Sequence, residues 1–325
     1  MKGKRREAAD RAAKVIRRLI DFKEFKRCCD ASEVELTQGF EMLGTNDRPC
    51  FYLDNNSTVL AVAHLDSVQD SDHFKHTIVG DETFVFSPVL DDRAGVYIIL
   101  DLLPKMGINV DVLLTTGEET GSSTASEFYT SKKYMWGVEF DRGGHDVVTY
   151  DFDNKAWEAR IKEAGFKVGS GTFSDISRLE EIGCSFMNIG VGSYDGHAKR
   201  AYLIIEEMID NLAKFFVFYE LHRQRHFPHV YVENKWNKWD GIYGYGRTGY
   251  TYKSKTGSLV EVYSNKGRLP NWSSTEPRVP DEDEYPSIWD EDDIASNWEA
   301  QDVRWMEGLE KCIILRRYYM VMLKN

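Results

Sequence analysis

Residues 109–119 read Asn-Val-Asp-Val-Leu-Leu-Thr-Thr-Gly-Glu-Glu. The stretch 109–115 is an almost continuous apolar run, and two adjacent carboxylates follow it across a glycine. A short apolar run bounded by turn residues reads as a strand. The same arrangement recurs on both sides. Upstream, 58–63 runs into His64-Leu65-Asp66, and 83–90 runs into Asp91-Asp92-Arg93-Ala94-Gly95. Downstream, 136–140 runs into Asp141, and 185–191 runs into Asp195-Gly196-His197. Helical spacing appears between these runs, over 94–103, near 124–131, and over 155–164, 175–182 and 203–223. Alternating strands and helices predict an α/β fold, a three-layer α/β/α sandwich around a mixed, mostly parallel sheet.

Nearer the N-terminus, Ala9, Ala12, Ala13, Ile16, Leu19 and Ile20 recur at helical spacing and predict one helix over 5–28. Strand-like runs at 50–53 and 58–63 flank Asp54-Asn55-Asn56-Ser57 and predict a hairpin. A further short strand is expected over 147–152. Composition changes near residue 224. Six of the eight tryptophans follow it (Trp236, Trp239, Trp272, Trp289, Trp298 and Trp305), and 281–293 holds eight acidic residues and no basic one. The expected organisation is therefore a domain over 1–224 and an aromatic, acid-rich appendage over 225–325, with a last helix over 298–323.

The whole chain narrows the function. Its 325 residues are 42% apolar, enough for a full core, and its formal net charge of −12 argues against nucleic acid as a partner. The basic start has no apolar core run and no small-residue cleavage site, so no secretory signal is expected. No stretch approaches 18 uncharged apolar residues, so no membrane span is expected. The five cysteines, Cys28, Cys29, Cys50, Cys184 and Cys312, are odd in number and irregular in spacing. They read as reduced thiols of a cytoplasmic protein.

The strand-end segments carry the chemistry. In an open α/β sheet, ligands bind along the edge formed by the carboxyl ends of the strands, so the segments are expected at one site. Two histidines with three or more carboxylates suit Zn²⁺, with Mn²⁺ or Co²⁺ as alternatives. A pair of metals needs a bridging carboxylate and separate terminal ligands, and the segments supply both. Carboxylates crowded together need a cation or protons to offset their repulsion. Taken singly the signals are ordinary: Asp92 reads as a cap for the following helix, and Glu118-Glu119 as a solvated helix start.

In their order, His64-x-Asp66, Leu90-Asp91-Asp92-x-x-Gly95, Thr116-Gly117-Glu118-Glu119-x-Gly121, Asp141 and His197 resemble the signature of the co-catalytic dinuclear zinc exopeptidases. That superfamily holds leucyl-type and glutamyl aminopeptidases with carboxypeptidase and deacylase relatives. Gly171-Thr172-Phe173-Ser174-Asp175 and Ile189-Gly190-Val191-Gly192 resemble its late segment, and the likeness spans roughly 45–222. The resemblance implies two Zn²⁺ per chain. Asp91 would bridge them, His64 and Asp141 would complete one site, and Glu119 and His197 the other. Asp66 would hydrogen-bond His64 and fix its tautomer. Glu118 would be the general base, activating a water between the metals and returning its proton to the leaving amine. A cis peptide between Asp91 and Asp92 is also implied.

The sequence departs from the pattern in two ways. The family often carries a glutamate four residues after the last histidine, where this chain has Ala201. The intervals 64–91 and 141–171 are too short for an inserted lid, so a compact form is expected. Tyr194 and Ser174 are then the candidates for stabilising an oxyanion. The resemblance implies a metallo-exopeptidase, an aminopeptidase acting on small peptides. An N-acyl amino acid amidohydrolase or a carboxypeptidase with the same site is the nearest alternative. A binding or scaffolding protein on a repurposed hydrolase fold is the alternative of another class, with 225–325 as a surface for a protein partner. Among the remaining side chains, Arg93 is a candidate for meeting a substrate carboxylate and His145 for lining the cleft. His73, His76, His222, His226 and His229 are expected at the surface.

Overall fold

The computed structural model describes residues 2–152 and 154–229, with three short strands beyond them. Periodicity over 5–28 predicts one helix, and two form: α1 (Lys2–Leu19) and α2 (Phe22–Asp30). Asp21 makes the break, because its carboxylate accepts the main-chain N–H groups of Lys23 and Glu24 and so starts a new helix. Cys28 and Cys29 are buried on α2, and all four described cysteines are free thiols. A short α3 (Glu33–Leu36) follows, closed by a capping box between Ser32 and Glu35.

The next elements are β1 (Glu41–Thr45), β2 (Arg48–Leu53), β3 (Val59–His64), β4 (Lys75–Val79) and β5 (Glu82–Phe86). Then α4 (Leu90–Tyr97) continues through a π-helical stretch (Ile98–Leu102) into α5 (Leu103–Lys105). The rest of the first unit is β6 (Asp111–Thr115), β7 (Trp136–Glu139), β8 (Val147–Val148), α6 (Lys155–Glu163), β9 (Phe186–Ile189), β10 (Ser193–Tyr194), β11 (Tyr202–Ile204) and α7 (Ile205–His222). The helices expected near 124–131 and over 175–182 are only 3-10 turns: Thr124–Glu127, Asp175–Arg178 and Glu180–Ile182.

Seven strands form the main sheet in the order β1-β2-β6-β3-β7-β9-β8. The central four, β6, β3, β7 and β9, run parallel, and β1, β2 and β8 pair antiparallel at the edges. This is the expected mixed, mostly parallel α/β sheet. On one face Leu60, Val62 and Leu113 pack with Ala125, Phe128 and Ile176. Trp136 stands opposite Val59 in the register and so points to the other face, where it meets Phe215 and Phe218 of α7 and Trp157 of α6.

The hairpin expected between 50–53 and 58–63 does not form. β2 pairs with β1 and β6, and β6 lies between β2 and β3. Asp111 explains the difference. Its buried Oδ1 accepts the N–H groups of Asn55 at 3.0 Å and Ser57 at 2.9 Å, so the start of β6 is tied into the 54–57 turn. Its Oδ2 accepts the hydroxyls of Tyr52 and Tyr134, each at 2.8 Å, and the Lys132 ammonium at 2.5 Å. The turn thus serves a carboxylate on the intervening strand.

A second, antiparallel sheet has the order β10-β11-β5-β4. The strand expected to lead to Asp91 is its β5, and its β10 stands between β9 and His197, so only three of the strand-end segments follow directly from the main sheet. In the second unit, Val232–Asn325, the strands Val232–Asn234, Gly249–Lys253 and Leu259–Tyr263 pair as an antiparallel three-stranded sheet. The first unit is Met1–Tyr231. The acidic 281–293 stretch, the helix expected over 298–323 and the six late tryptophans lie outside the described residues. No described helix is long and apolar enough to cross a membrane.

Candidate metal centre

Three adjacent parallel strands, β6, β3 and β7, deliver the first groups. His64 is the last residue of β3, Glu118 and Glu119 follow β6 after a turn at Gly117, and Asp141 lies just past β7. Gly117 has φ +76°, and a Cβ there would stand 2.9 Å from the Ser122 carbonyl oxygen, so the sharp turn that lifts Glu118 into the cleft favours glycine. Asp91 arrives at the start of α4, and the peptide joining Asp91 to Asp92 is cis. His197 comes from the β10–β11 loop with φ +62°.

The groups converge through Asp91. Its Oδ1 lies 3.1 Å from His64 Nε2, and its Oδ2 lies 3.0 Å from His197 Nε2. His64 Nε2 also stands 3.6 Å from Asp141 Oδ1 and 3.9 Å from Glu118 Oε2. His197 Nε2 is 2.9 Å from Glu119 Oε2. One carboxylate therefore faces two histidines, each flanked by a further carboxylate. Two ligand atoms on one tetrahedral zinc, with bonds of about 2.0–2.1 Å, lie about 3.3 Å apart. The spacings around His64 bracket that value, and those around His197 fall 0.3–0.4 Å below it.

Two further observations fit a cation. Asp141 Oδ1 and Glu119 Oε1 are two of eight buried side-chain polar atoms that have no hydrogen-bond partner among the described residues. Buried polar atoms are seldom left so, and both belong to the residues around the histidines. Electrostatics agree. Burial pushes Glu118 up to about 8 and Asp91 up to about 6, with Asp141 adding to both. Burial opposes a charge on His64, yet the adjoining carboxylates of Asp141 and Asp91 raise it well above the ordinary histidine value. The protein alone thus answers the crowding with protons, and a divalent ion offers the other answer. His64, Asp91 and Glu119 place donor atoms within 4.8 Å of one another, as do His64, Asp92 and Asp141.

Surrounding residues hold this set. His64 Nδ1 donates to the main-chain oxygen of Asp66 at 2.9 Å, and the Asp66 carboxylate stands off at 3.7 Å. That carboxylate instead accepts the N–H groups of Glu118 and Glu119, at 3.3 and 3.2 Å. The tautomer is thus fixed by the Asp66 carbonyl, and its side chain orients the glutamates. Asp92 accepts from the N–H groups of Gly95 at 2.9 Å and His64 at 3.3 Å, so its capping role extends to β3. Asn188, buried on β9, was not singled out from the sequence. Its Oδ1 accepts the N–H groups of Asp141 and Arg142, and its Nδ2 faces Asp141 Oδ2 at 3.4 Å and the Tyr150 hydroxyl at 3.5 Å. An asparagine inside an otherwise apolar strand is the signal that could have found it, since such a group must have partners.

The cleft is lined by Asp91, Glu118, Asp141, Arg142, Gly143, Tyr150, Phe173 and His197. Several expected side chains lie elsewhere. The Tyr194 hydroxyl donates to Glu207 at 2.6 Å, and buried Ser174 donates to Glu139, so both oxyanion candidates are committed to other carboxylates. Arg93 is buried, and its guanidinium meets the main-chain oxygens of Cys28 and Ala31, which takes it away from substrate. His145 is exposed, 4.0 Å from Glu207. His222 is half-buried and packs against Phe218, contrary to a surface position, whereas His76 and His226 are exposed. Ala201 is buried, so no carboxylate stands at that position.

No protein-family model matches the chain, and no curated protein matches it. Solved structures do. The aminopeptidase PepT of Bacillus cereus aligns at 12% identity over 62% of this chain and 98% of its own, with a TM-score of 0.46. A tripeptidase of Staphylococcus aureus aligns at 11% identity over 64% and 100%, with a TM-score of 0.48. The TET1 peptidase of Pyrococcus horikoshii aligns at 11% identity over 60% and 98%, with a TM-score of 0.42. These three solved proteins are peptidases by name.

Proposed function

We propose that the chain is a dinuclear metal-dependent peptidase, a zinc aminopeptidase acting on small peptides. The observation that carries this reading is the Asp91 carboxylate set between the Nε2 atoms of His64 and His197, with Asp141 and Glu119 beside them. In this reading His64, Asp91 and Asp141 hold one ion, and Asp91, Glu119 and His197 hold the other. Bound divalent ions would polarise the scissile carbonyl and make an attacking water more acidic.

The chain's own residues do the rest. Glu118 lines the cleft and belongs to no ligand pair in this assignment, which leaves its carboxylate to accept a proton from the attacking water and pass it to the leaving amine. Asp66 holds Glu118 and Glu119 through their N–H groups, and Asn188 holds Asp141 by main chain and side chain together. Both are positioning residues. Tyr150 and Phe173 supply aromatic surface to the cleft wall.

The test is a panel of aminoacyl anilides, N-blocked peptides and N-acyl amino acids, run with the zinc-loaded protein and with Glu118→Gln. Cleavage of the unblocked substrates alone, lost in the variant, supports the aminopeptidase reading. Cleavage of N-acyl substrates alone moves the assignment to the amidohydrolases. No cleavage of any member rejects hydrolysis of this bond class.

A further inference from the structure

Arg142 lines the cleft and Arg178 lies against Phe173 of its lining, and the two arginines are not equivalent. Arg142 gives its Nε and an Nη to Asp146, so a carboxylate already offsets its charge. Arg178 ends the 3-10 turn Asp175–Arg178 and is exposed. Its guanidinium carbon lies 5.1 Å from the ring centre of Phe173, a cleft-lining residue, and one Nη donates to the Gly121 carbonyl at 3.2 Å. Gly121 closes the turn that carries Glu118 and Glu119. No ion pair joins Arg178 to a carboxylate among the described residues.

We propose that Arg178 receives the free carboxylate of a short peptide bound in the cleft, which makes the substrate class unblocked small peptides in preference to longer or C-terminally amidated ones. This rests on the peptidase reading and deepens it. A guanidinium stacked on an aromatic ring is held in orientation and keeps a donor edge free for a carboxylate. Arg142 in the cleft wall is already paired with Asp146, so of the two arginines at this rim Arg178 is the one with no carboxylate partner among the described residues. The selectivity acts through binding, because Arg178 touches none of the residues assigned to the reaction.

The experiment compares a tripeptide with its C-terminal amide on the zinc-loaded chain. The free acid is expected to show a kcat/KM about tenfold higher, carried by KM, as for one charge-assisted contact. The preference shrinks at high salt, because the contact is exposed. Arg178→Met brings the ratio to about one, and Arg178→Lys keeps part of it. Equal cleavage of acid and amide by the unmodified chain overturns the assignment of Arg178 and leaves the peptidase reading standing. An undiminished ratio in Arg178→Met overturns it in the same way. Cleavage of neither peptide overturns the peptidase reading, and this proposal with it.

Discussion

The Asp91 carboxylate reaches His197 across the cleft, Oδ2 to Nε2 at 3.0 Å, while its other oxygen stands 3.1 Å from His64 Nε2. The two histidines come from different sheets: His64 ends β3 of the main sheet, and His197 lies in a loop of the smaller one. A single side chain therefore ties the two halves of the site. In the proposed assignment, replacing it with alanine removes a shared ligand, so both ions are expected to be lost together. A metal titration of Asp91→Ala that still shows one tight ion would contradict the bridging role.

Glu118 makes a different prediction. It is assigned to proton transfer and not to metal binding, so Glu118→Gln keeps its metal content and loses hydrolysis by roughly 10²–10⁴-fold. Metal analysis and single-turnover kinetics on the same sample check this. Retained turnover would remove Glu118 from the proton-transfer step.

Asn188 is buried, meets Asp141 by two contacts and holds the next residue through the Arg142 N–H. Outer residues of this kind orient the ligands, and their loss costs about 10–100-fold in metal affinity. Asn188→Ala is expected to weaken one ion by that factor and the other much less. Competition with a chromophoric chelator reads both affinities. A uniform loss at both sites would mean that the substitution acts through the fold.

The legibility of this molecule divides along physical lines. The buried strands β3, β6, β7 and β9 show as apolar runs, and the groups at their ends show as polar residues immediately after them. β4 is exposed along its whole length and has no apolar alternation to read. The pairing of β2 with β6 is set by Asp111 reaching the 54–57 turn, a contact between residues more than fifty positions apart. The 3-10 turns at Thr124–Glu127 and Asp175–Arg178 satisfy a helical pattern for a single turn and stop, because Ser123, Ser174 and Asp175 spend their polar groups on tertiary contacts. Within the site, the ligand candidates sit in short motifs. Asn188 shows only as a lone amide in an apolar strand, and Tyr150 and Arg178 become visible only when separate elements are brought together.

His222 links structure to pH. Burial against Phe218 and Phe227, with nearby arginines adding to the effect, lowers its pKa to about 3, and its Nδ1 has no hydrogen-bond partner. In the unfolded chain the same ring titrates near an ordinary value of about 6.5. Between those values the unfolded chain binds the proton and the folded one does not, so stability falls as the pH drops from 6.5 toward 3. At pH 5.5 this group costs about 1 kcal/mol relative to neutral pH. His222→Phe is expected to lose that share of the acid sensitivity, read from urea unfolding at pH 7 and 5.5. An unchanged difference between the two pH values would contradict the buried neutral ring.

Packing gives a sharper stability test at Gly137. A Cβ there would stand 2.0 Å from Cε1 of the Phe186 ring on the neighbouring strand. Both residues lie in the parallel part of the main sheet, so neither backbone can easily yield. Gly137→Ala is expected to destabilise the domain by about 1–3 kcal/mol through overpacking. Chemical denaturation of the two proteins measures it, and equal stability would show that the Phe186 ring has another place to go.

The most direct test of the account is metal stoichiometry. Protein purified without chelator, or stripped and titrated with Zn²⁺, is expected to hold about two ions per chain by elemental analysis. A folded chain that binds none, or that binds them undiminished after Asp91→Ala and His64→Ala, would contradict the dinuclear centre on which the proposed function stands.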